Sequence, residues 1–498
     1  MSSSFGGLNT VVRGLAAQQT SLNTVGHNVS NANTIGYSRQ NVNLTTTRPE
    51  IIYGNNGQNQ LGTGVDIGSI ARARDTFIDK QMWKETSSLG YGQTAADTLA
   101  RVEGVFHEPS ETGLQTTLDK FWTSLQTLAT NASDDGMRTV VRQRGVEIVD
   151  AIQHATTQLT DMVADANAVI EIKVNNINQL SSEIFALNRQ IVNIETGGRD
   201  HANDLRDRRD VLVDEMSKIV NINVTEDKYG NYNIQSASVT LVDGVGYQKL
   251  EAKKRPGGDA DYGYEVVDVV AQGSTQPLNF KGGELRGLLE MRDSVAANNS
   301  YDGLKGYIQK LDNMSQFLLQ DFNKVHKAGV GTDDSTGQNF FGDEDYTGFT
   351  PTAGTMGWIK ELKVNPDLFD PVNGLNLIAA KTSIGLGDAA GDNAVNLANS
   401  LKVDGATALG GRTPDSFYSS VIGALGVQAQ SANRLTDNQK TLVSQITNWR
   451  ESVSGVNMDE EMSNMIRFQK GYAAAARVLT SMDEMLDKLI NSTGVVGR

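Results

Sequence analysis

Cysteine is absent from all 498 residues. That removes disulfides, thiol nucleophiles and cysteine-ligated metal sites together. It leaves the compartment open, because a cysteine-free chain is safe in reducing and oxidising surroundings alike. Histidine is scarce too. The five residues His27, His107, His154, His201 and His326 are scattered, and no two stand at helical metal-ligand spacing. There is no HExxH, no GxSxG and no Walker-type phosphate loop. Aromatic residues are 6% and hydrophobic residues 38%, which points to a modest, mostly aliphatic core. The net charge is −15 and no long Lys/Arg run occurs. Phosphate binding depends on basic patches, so no nucleic-acid partner is expected. No stretch reaches the roughly 18–20 apolar residues of a membrane span. The opening MSSSFGGLNTVVRGLAAQQT lacks a basic start followed by an apolar run, so any export is expected by a route other than an ordinary secretory signal.

Three stretches invite a chemical reading and do not sustain it. GLGDAAGD (385–392) lacks the Lys-Ser/Thr of a phosphate loop and reads as a turn. DDSTGQNFFGDEDY (333–346) is acidic, but its spacing is not that of an EF-hand, and a solvated loop is the expectation. NDLRDRRD (203–210) places Asp204 with Arg208, and Arg206 with Asp210, at i,i+4. Surface pairs at that spacing stabilise a helix by roughly 0.2–0.5 kcal/mol each, so a solvated helix face is expected. The chain is read as a non-enzyme, with no catalytic residue, cofactor or metal.

What the chain does contain is heptad periodicity at both ends. Leu8, Leu15, Leu22 and Val29 recur in sevens, with Val11, Gln18 and Val25 between them. Near the other end Met465, Tyr472, Leu479 and Leu486 repeat the pattern, with Met462, Gln469, Ala476, Asp483 and Ile490 between them. Asn457 and Glu460 resemble a capping box at the start of that helix. Neither seam has a partner close in sequence, so the two ends are expected to pair with each other.

Between the ends, Leu114, Leu118, Phe121, Leu125 and Leu128 make a short helical seam. From Asp135 to Thr196 there is no proline, and Val163, Ile170, Ile177, Ile184 and Ile191 recur in sevens. A continuous helix there would be roughly 90 Å long. TGGRDHAN (196–203) ends it, and Leu205, Leu212 and Ile219 begin an antiparallel return. Leu304, Leu311, Leu318 and Val325 predict a further helix. Thr413-Pro414 opens one that runs to about Ser454, and Gly455 separates it from the last. Residues 221–283 alternate in strand fashion, residues 42–75 are extended and glycine-punctuated, and 330–411 read as a loop-rich β insertion.

The expected fold class is mainly α with β insertions. Long helical rods carry the N- and C-terminal helices paired, together with small β-rich outer parts. The expected division is a terminal coiled-coil (inner tube) domain from 1–45 and 456–498, and an extended segment 46–90. A helical rod domain would comprise 91–220, 284–329 and 412–455. A β insertion at 221–283 and an outer domain at 330–411 complete it.

SNANTIGYSRQ (30–40), which follows the first helix, resembles the N-terminal signature of the bacterial flagellar rod, hook and hook-associated proteins. GTGVDIGSIARARDTFIDKQ (62–81) and TGGRDHANDLRDRRDVLVDEMSKIVNINV (196–224) resemble the hook-associated branch that forms the hook–filament junction. NMDEEMSNMIRFQKGYAAAARVLTSMDEMLDKLIN (457–491) is similar to the C-terminal helix shared across the whole family. The resemblance implies an extracellular structural subunit of a ring or tube between hook and filament. Its partners would be further copies of itself, hook protein and the second junction protein, hook-associated protein 3. Export would run through the flagellar type III apparatus with the help of a dedicated export chaperone. Alternatives are another axial component, such as hook or distal-rod protein, or an exported adhesin or enzyme acting through 330–411.

On this reading the subunit interface draws on Leu8, Val11, Leu15, Leu22, Val25, Val29, Asn31, Asn33, Gly36, Tyr37, Met465, Tyr472, Leu479 and Leu486. The chaperone would take Met462, Met465, Tyr472, Leu479 and Leu486. Asn31, Asn33 and Thr34 can bond backbone groups at the helix end, Gly36 can adopt a left-handed backbone, and Tyr37 can pack on a neighbour. The terminal helices are expected to be disordered in the free subunit and to fold on assembly.

Overall fold

The structure, a computed structural model, describes residues 6–54, 57–111, 113–196, 201–295, 301–346 and 348–492. Its elements in order are α1 (Gly6–Ser30), β1 (Gln40–Thr46), β2 (Glu50–Gly54), β3 (Gly57–Leu61) and β4 (Val65–Arg72). Then come α2 (Thr76–Phe106), α3 (Leu114–Thr130), α4 (Asp135–Glu195) and α5 (Asn203–Ile219). Five strands follow: β5 (Asn223–Glu226), β6 (Tyr232–Ser236), β7 (Val239–Val242), β8 (Leu250–Lys254) and β9 (Val267–Ala271). The rest is helical: α6 (Gly283–Asp293), α7 (Leu304–Phe317), α8 (Asn323–Ala328), α9 (Asp392–Ser400), α10 (Pro414–Ser454) and α11 (Met458–Ser492). A π-helical turn, Leu318–Phe322, joins α7 to α8. The fold is mainly α with small antiparallel sheets and paired terminal helices, as expected.

The uninterrupted helix α4 has 61 residues. Its heptad residues Val163, Ile170, Ile177, Ile184 and Ile191 are all buried, which is why the period survives over so many turns. α10 begins where Thr413 caps it: the Thr413 hydroxyl accepts from Ser416 N at 3.1 Å, and Pro414 follows at the position that needs no N–H. Asn457 caps α11 by accepting from the N–H groups of Asp459 and Glu460 at 3.0 and 3.3 Å.

The chain divides into two compact units. The first comprises Met1–Ser88, Ile177–Lys249 and Lys440–Arg498, and the second Leu89–Asn176 and Leu250–Gln439. In the first, β1 pairs antiparallel with β4 (Gln40 opposite Arg72), with a bulge at Asn43/Leu44. β2 and β3 form a hairpin, and β5, β6 and β7 an antiparallel meander. In the second unit the core gathers α3, α7 and the segment after α8. Phe121, Phe322, Phe340 and Phe341 meet edge-on or tilted, Phe340 and Phe341 with ring centroids 4.8 Å apart. Asn323 anchors that segment, its side-chain carbonyl accepting from Phe340 N and Phe341 N at 3.1 and 3.0 Å.

Two expectations are corrected here. Residues 46–90 are not extended throughout, because α2 begins at Thr76. Residues 330–411 contain no strand of a sheet among the described residues. Isolated bridges, short 3-10 turns and α9 take its place, and Trp358, Leu362 and Leu368 are buried in the same core as Phe121. The short apolar runs there fill gaps between helices, so alternation along them carries no strand information.

Candidate assembly interface

α1 and α11 pack against each other in a fixed antiparallel register. Gly7 faces Met482, Gly471 faces Gln18, and Asn28 bonds Glu461. Eleven residues along α1 correspond to eleven back along α11 in the first step, and ten to ten in the second. A Cβ at Gly471 would stand 2.9 Å from Gln18 Oε1, and one at Gly7 would stand 2.3 Å from the Met482 methyl. Both contacts are with the flexible ends of side chains, which lie across the other helix at these glycines.

The face that α1 buries is not its leucine seam. Ala17, Ser21, Thr24, Val25 and Asn28 are buried, a stripe of small and polar residues at helical spacing. Ser21 and Thr24 turn their hydroxyls inward to Ala17 O and Thr20 O at 2.9 and 3.0 Å, so they meet the neighbouring element as compact, satisfied groups. Of the sequence-predicted seam, Val25 is buried, and Leu8, Val11, Leu15, Leu22 and Val29 are half-buried. On α11, Met465, Leu479 and Leu486 are half-buried, while Met462 and Tyr472 are exposed. Met458, Ile466, Val478, Met485 and Leu489 are exposed as well, so the helix pair leaves much of the apolar surface of α11 uncovered.

The joint after α1 closes on Asn28, which uses its whole amide. It donates to Gln40 O at 3.0 Å and to Glu461 Oε2 at 3.1 Å. It accepts from the Tyr37 hydroxyl at 2.7 Å and from Gln40 N at 2.9 Å. Four bonds to one buried side chain fix the chain's return from α1 into β1. Asn31 donates to His27 O at 3.0 Å at the helix end, and Asn33 is exposed. Gly36 has φ +79°, and a Cβ on it would stand 2.1 Å from Val211 Cγ2 on α5. Glycine is required there twice over, for its backbone and for its closeness to α5. The Tyr37 ring meets His27 edge-on at 5.5 Å. Burial, reinforced by Asp204, Asp207 and Glu461, raises the Tyr37 hydroxyl far above its ordinary range and keeps it a donor. Ile35, at the tip of the joint, is 91% exposed.

Beneath the joint lies a buried ionic network, and it overturns the expectation of a solvated NDLRDRRD face. Asp207, Arg209 and Asp210 are all buried. Arg72 donates to Asp207 at 2.6 Å and to Asp210 at 2.8 Å. Arg74 grips Asp79 through two bonds of 2.9 and 3.0 Å and lies 3.4 Å from Asp210. Ser38 N donates to Asp207 Oδ2 at 2.9 Å, and Tyr232 donates to Asp210 Oδ1 at 2.8 Å. Burial alone would raise the Asp210 carboxyl, but Arg74 and Arg72 outweigh it and hold it below the usual carboxylate range. Arg209 lies over the Tyr232 ring at 3.5 Å and donates to Asn188 Oδ1 on α4 at 2.8 Å. Arg206 pairs with Glu195 and Glu226, both at 2.7 Å, in place of the i,i+4 partner its spacing suggested. The corner between α10 and α11 is tied to the joint by Arg39, whose N–H donates to Ser454 O at 2.8 Å and whose guanidinium meets Glu460.

Asn28, Gln40, Arg72, Arg74 and Asp210 escape a reading of periodicity, because polar residues in a helix look solvated until their partners are known. The usable signal was the Arg and Asp residues of the segments 62–81 and 196–224, with Arg39 in 30–40, which the fold brings together at this one place. In the acidic stretch 333–346 three carboxylates stay exposed, each in an ion pair: Asp334 with Lys381 at 2.9 Å, Asp343 with Lys363 at 2.5 Å and Asp345 with Lys327 at 2.7 Å. Among the described residues no group of three His, Asp or Glu side chains could hold a metal ion, and no helix is long and apolar enough to cross a membrane.

Both ends and the middle of the chain carry recognisable family patterns. Residues 8–37 match the model described as flagella basal body rod protein, and residues 451–492 match the flagellar basal body rod FlgEFG protein C-terminal model. The class is therefore that of flagellar proteins with rod-type ends. Residues 99–341 match the helical domain of the flagellar hook-associated protein FlgK. The chain belongs to the flagellar hook-associated protein 1 family: it is 36% identical to the Bacillus subtilis flagellar hook-associated protein 1 over the full length of both. The Escherichia coli flagellar hook-associated protein 1 is 26% identical over 97% of this chain and 99% of its own. The solved flagellar hook junction protein FlgK from Burkholderia pseudomallei shares the fold, with a TM-score of 0.61 over 75% of this chain and 100% of its own, at 16% identity.

Proposed function

We propose that this chain is a structural component of the bacterial flagellum that forms the junction between hook and filament, with its terminal helices packing against those of neighbouring subunits. The observation that carries the reading is the α1–α11 pair. Its two helices meet at Gly7 with Met482, Gln18 with Gly471 and Asn28 with Glu461, and leave an apolar surface open on α11, through Met458, Met462, Ile466, Val478, Met485 and Leu489. Copies related head to tail would bury that surface and the half-covered leucines of α1, each side chain contributing roughly 1.5–3 kcal/mol before ordering terms. The names of the relatives, hook-associated and hook junction, support the location. Hook protein, the second junction protein and further copies of this chain are the partners on this reading, and export proceeds through the flagellar type III apparatus.

The proposed interface residues divide by what they already touch. Leu8, Leu15, Leu22, Met465, Leu479 and Leu486 serve the intramolecular pair and the neighbouring subunit together. Asn31, Gly36 and Tyr37 act indirectly, by setting the angle at which α1 leaves the joint. An export chaperone that takes Met465, Leu479 and Leu486 has to displace α1, since these residues lie half-buried. Chaperone binding and helix pairing are then mutually exclusive.

Sedimentation with isolated, filament-free hooks tests the reading. The full chain is expected to pellet with hooks at a finite, saturating ratio. A variant carrying Ile466→Asp, Val478→Asp and Leu489→Asp is expected to stay in the supernatant with unchanged circular dichroism. Equal pelleting of both chains would remove the role of the α11 surface, and no pelleting of either would remove the junction role. Amide exchange on the free chain tests folding on assembly, which predicts protection over residues 6–30 far below that of α3.

A further inference from the structure

α11 holds Met458, Met462, Met465, Met482 and Met485, five of the 13 methionines of the chain in a 35-residue helix. Among the described methionines the exposed ones are Met458 (45%), Met462 (53%) and Met485 (55%), all on α11. Met216, Met291 and Met314 are buried in the interior at 0%, 1% and 2% exposure. The chain offers no thiol that would consume an oxidant first. A thioether is soft and nucleophilic and reacts with peroxides wherever it is reachable. Met465 and Met482 are half-buried, and the Met482 methyl lies beside Gly7 of α1.

We propose that Met458, Met462 and Met485 form an oxidation-sensitive modification site, at which hydrogen peroxide makes the unassembled chain unable to assemble. In the reaction with peroxide, the sulfur lone pair attacks one peroxide oxygen, an S–O bond forms and the O–O bond breaks. The sulfur gives up two electrons, and the second oxygen leaves as water with both protons. The product is polar and chiral, with an oxygen that must accept hydrogen bonds or stay in water. The thioether is suited to burial against a neighbour and the sulfoxide is not. Methionine sulfoxide reductases with a thiol reductant reverse the change. The inference rests on the assembly role proposed above for the α11 surface.

The test uses the purified full chain. Limited peroxide treatment followed by peptide mass spectrometry is expected to convert Met458, Met462 and Met485 at least tenfold faster than Met216 and Met291. The treated chain is expected to sediment with hooks at least tenfold more weakly than the untreated chain, and reductase treatment is expected to restore it. A variant with Met458→Leu, Met462→Leu and Met485→Leu keeps apolar, helix-compatible side chains. Its hook binding before and after peroxide is expected to differ by less than twofold. Unchanged binding of the oxidised chain, beside normal binding of the untreated one, overturns this inference and leaves the junction role standing. So does a leucine variant that loses binding on peroxide treatment as the natural chain does, since the damage then lies elsewhere. An untreated chain that fails to bind hooks overturns both readings.

Discussion

In the unit that carries both chain ends, Arg72, Arg209, Asp207 and Asp210 occupy the space beneath the joint, and each is matched to a partner on another element. In the other unit the equivalent space around α3 is filled by Phe121, Phe322, Phe340 and Phe341. Its buried Arg138 is used differently, donating to the carbonyls of Ala132, Leu375 and Ile378 to fasten a loop. Aromatic packing is tolerant of small errors in angle. A network of charges and hydrogen bonds is not, because every member left unpaired in the interior is heavily penalised. Both units bury aliphatic side chains, but the joint that follows α1 is held to α5 by the less tolerant material.

Substitutions can break the comparison from either side. Asp210→Ala strips Arg72 and Tyr232 of a shared partner and leaves Arg74 with Asp79, Ser38 and the more distant Asp207. A loss of about 3–5 kcal/mol is expected on removing one member of a buried ionic group. Hydrogen exchange should rise in α5 and β4, with little change in α3. Phe121→Ala should cost about 3–5 kcal/mol through the cavity it leaves, with the reverse exchange pattern, rising in α3 and α7. Similar exchange maps for the two variants would show that the two units do not respond separately. Gly36→Ala is expected to cost about 1–3 kcal/mol, since it strains a backbone at φ +79° and pushes a methyl into Val211. Denaturant unfolding measures it, and hook sedimentation should fall with it because α1 leaves the joint at a changed angle.

The smallest expected effect concerns pH and belongs to the second unit. Asp312 on α7 accepts from Trp358 N and Ile359 N at 2.6 and 3.1 Å. Burial pushes its carboxyl up to about 6, against the pull of those two N–H groups. Between the ordinary carboxyl range and that value the folded chain holds a proton that the unfolded chain has released. The contribution of Asp312 is thus full in acid and is lost as pH rises through about 6. Asp312→Asn keeps the acceptor and removes the charge. It is expected to raise stability at pH 7 by about 2 kcal/mol and to flatten this part of the profile, measured by denaturant titration between pH 4 and 8. His326 works in the opposite direction. It is buried and held by Gln338 O and Ala379 N, and burial lowers it to about 4, so its contribution is present above its unfolded range and lost as pH falls through that value.

Much of the architecture was legible because it rests on repetition. The isoleucines of α4, the proline start of α10, the Asn457 cap and the alternation in 221–283 are local signals, and local signals survive in a bare sequence. Residues 330–411 were misread for the opposite reason: their apolar runs answer to the surfaces of α3 and α7 and have no period of their own. The same holds at the joint. Gly36 was recognisable as a place for a left-handed backbone, but nothing near it in sequence announced Val211. NDLRDRRD looked like a solvated face because three of its charges find partners far away, at Arg72, Asn188 and Tyr232.

The sequence by itself determined that this chain is a set of long helices with matched amphipathic ends, since a heptad period is written along the chain and needs no knowledge of neighbours. It also excluded disulfides and thiol nucleophiles, since the chain has no cysteine. Only the tertiary structure decided which face of α1 is buried. The leucine seam and the Ala17–Asn28 stripe are both helical faces, and the stripe's last member, Asn28, is held by Gln40 and Glu461, residues beyond the helix end or far along the chain that come within reach only when it folds back on itself.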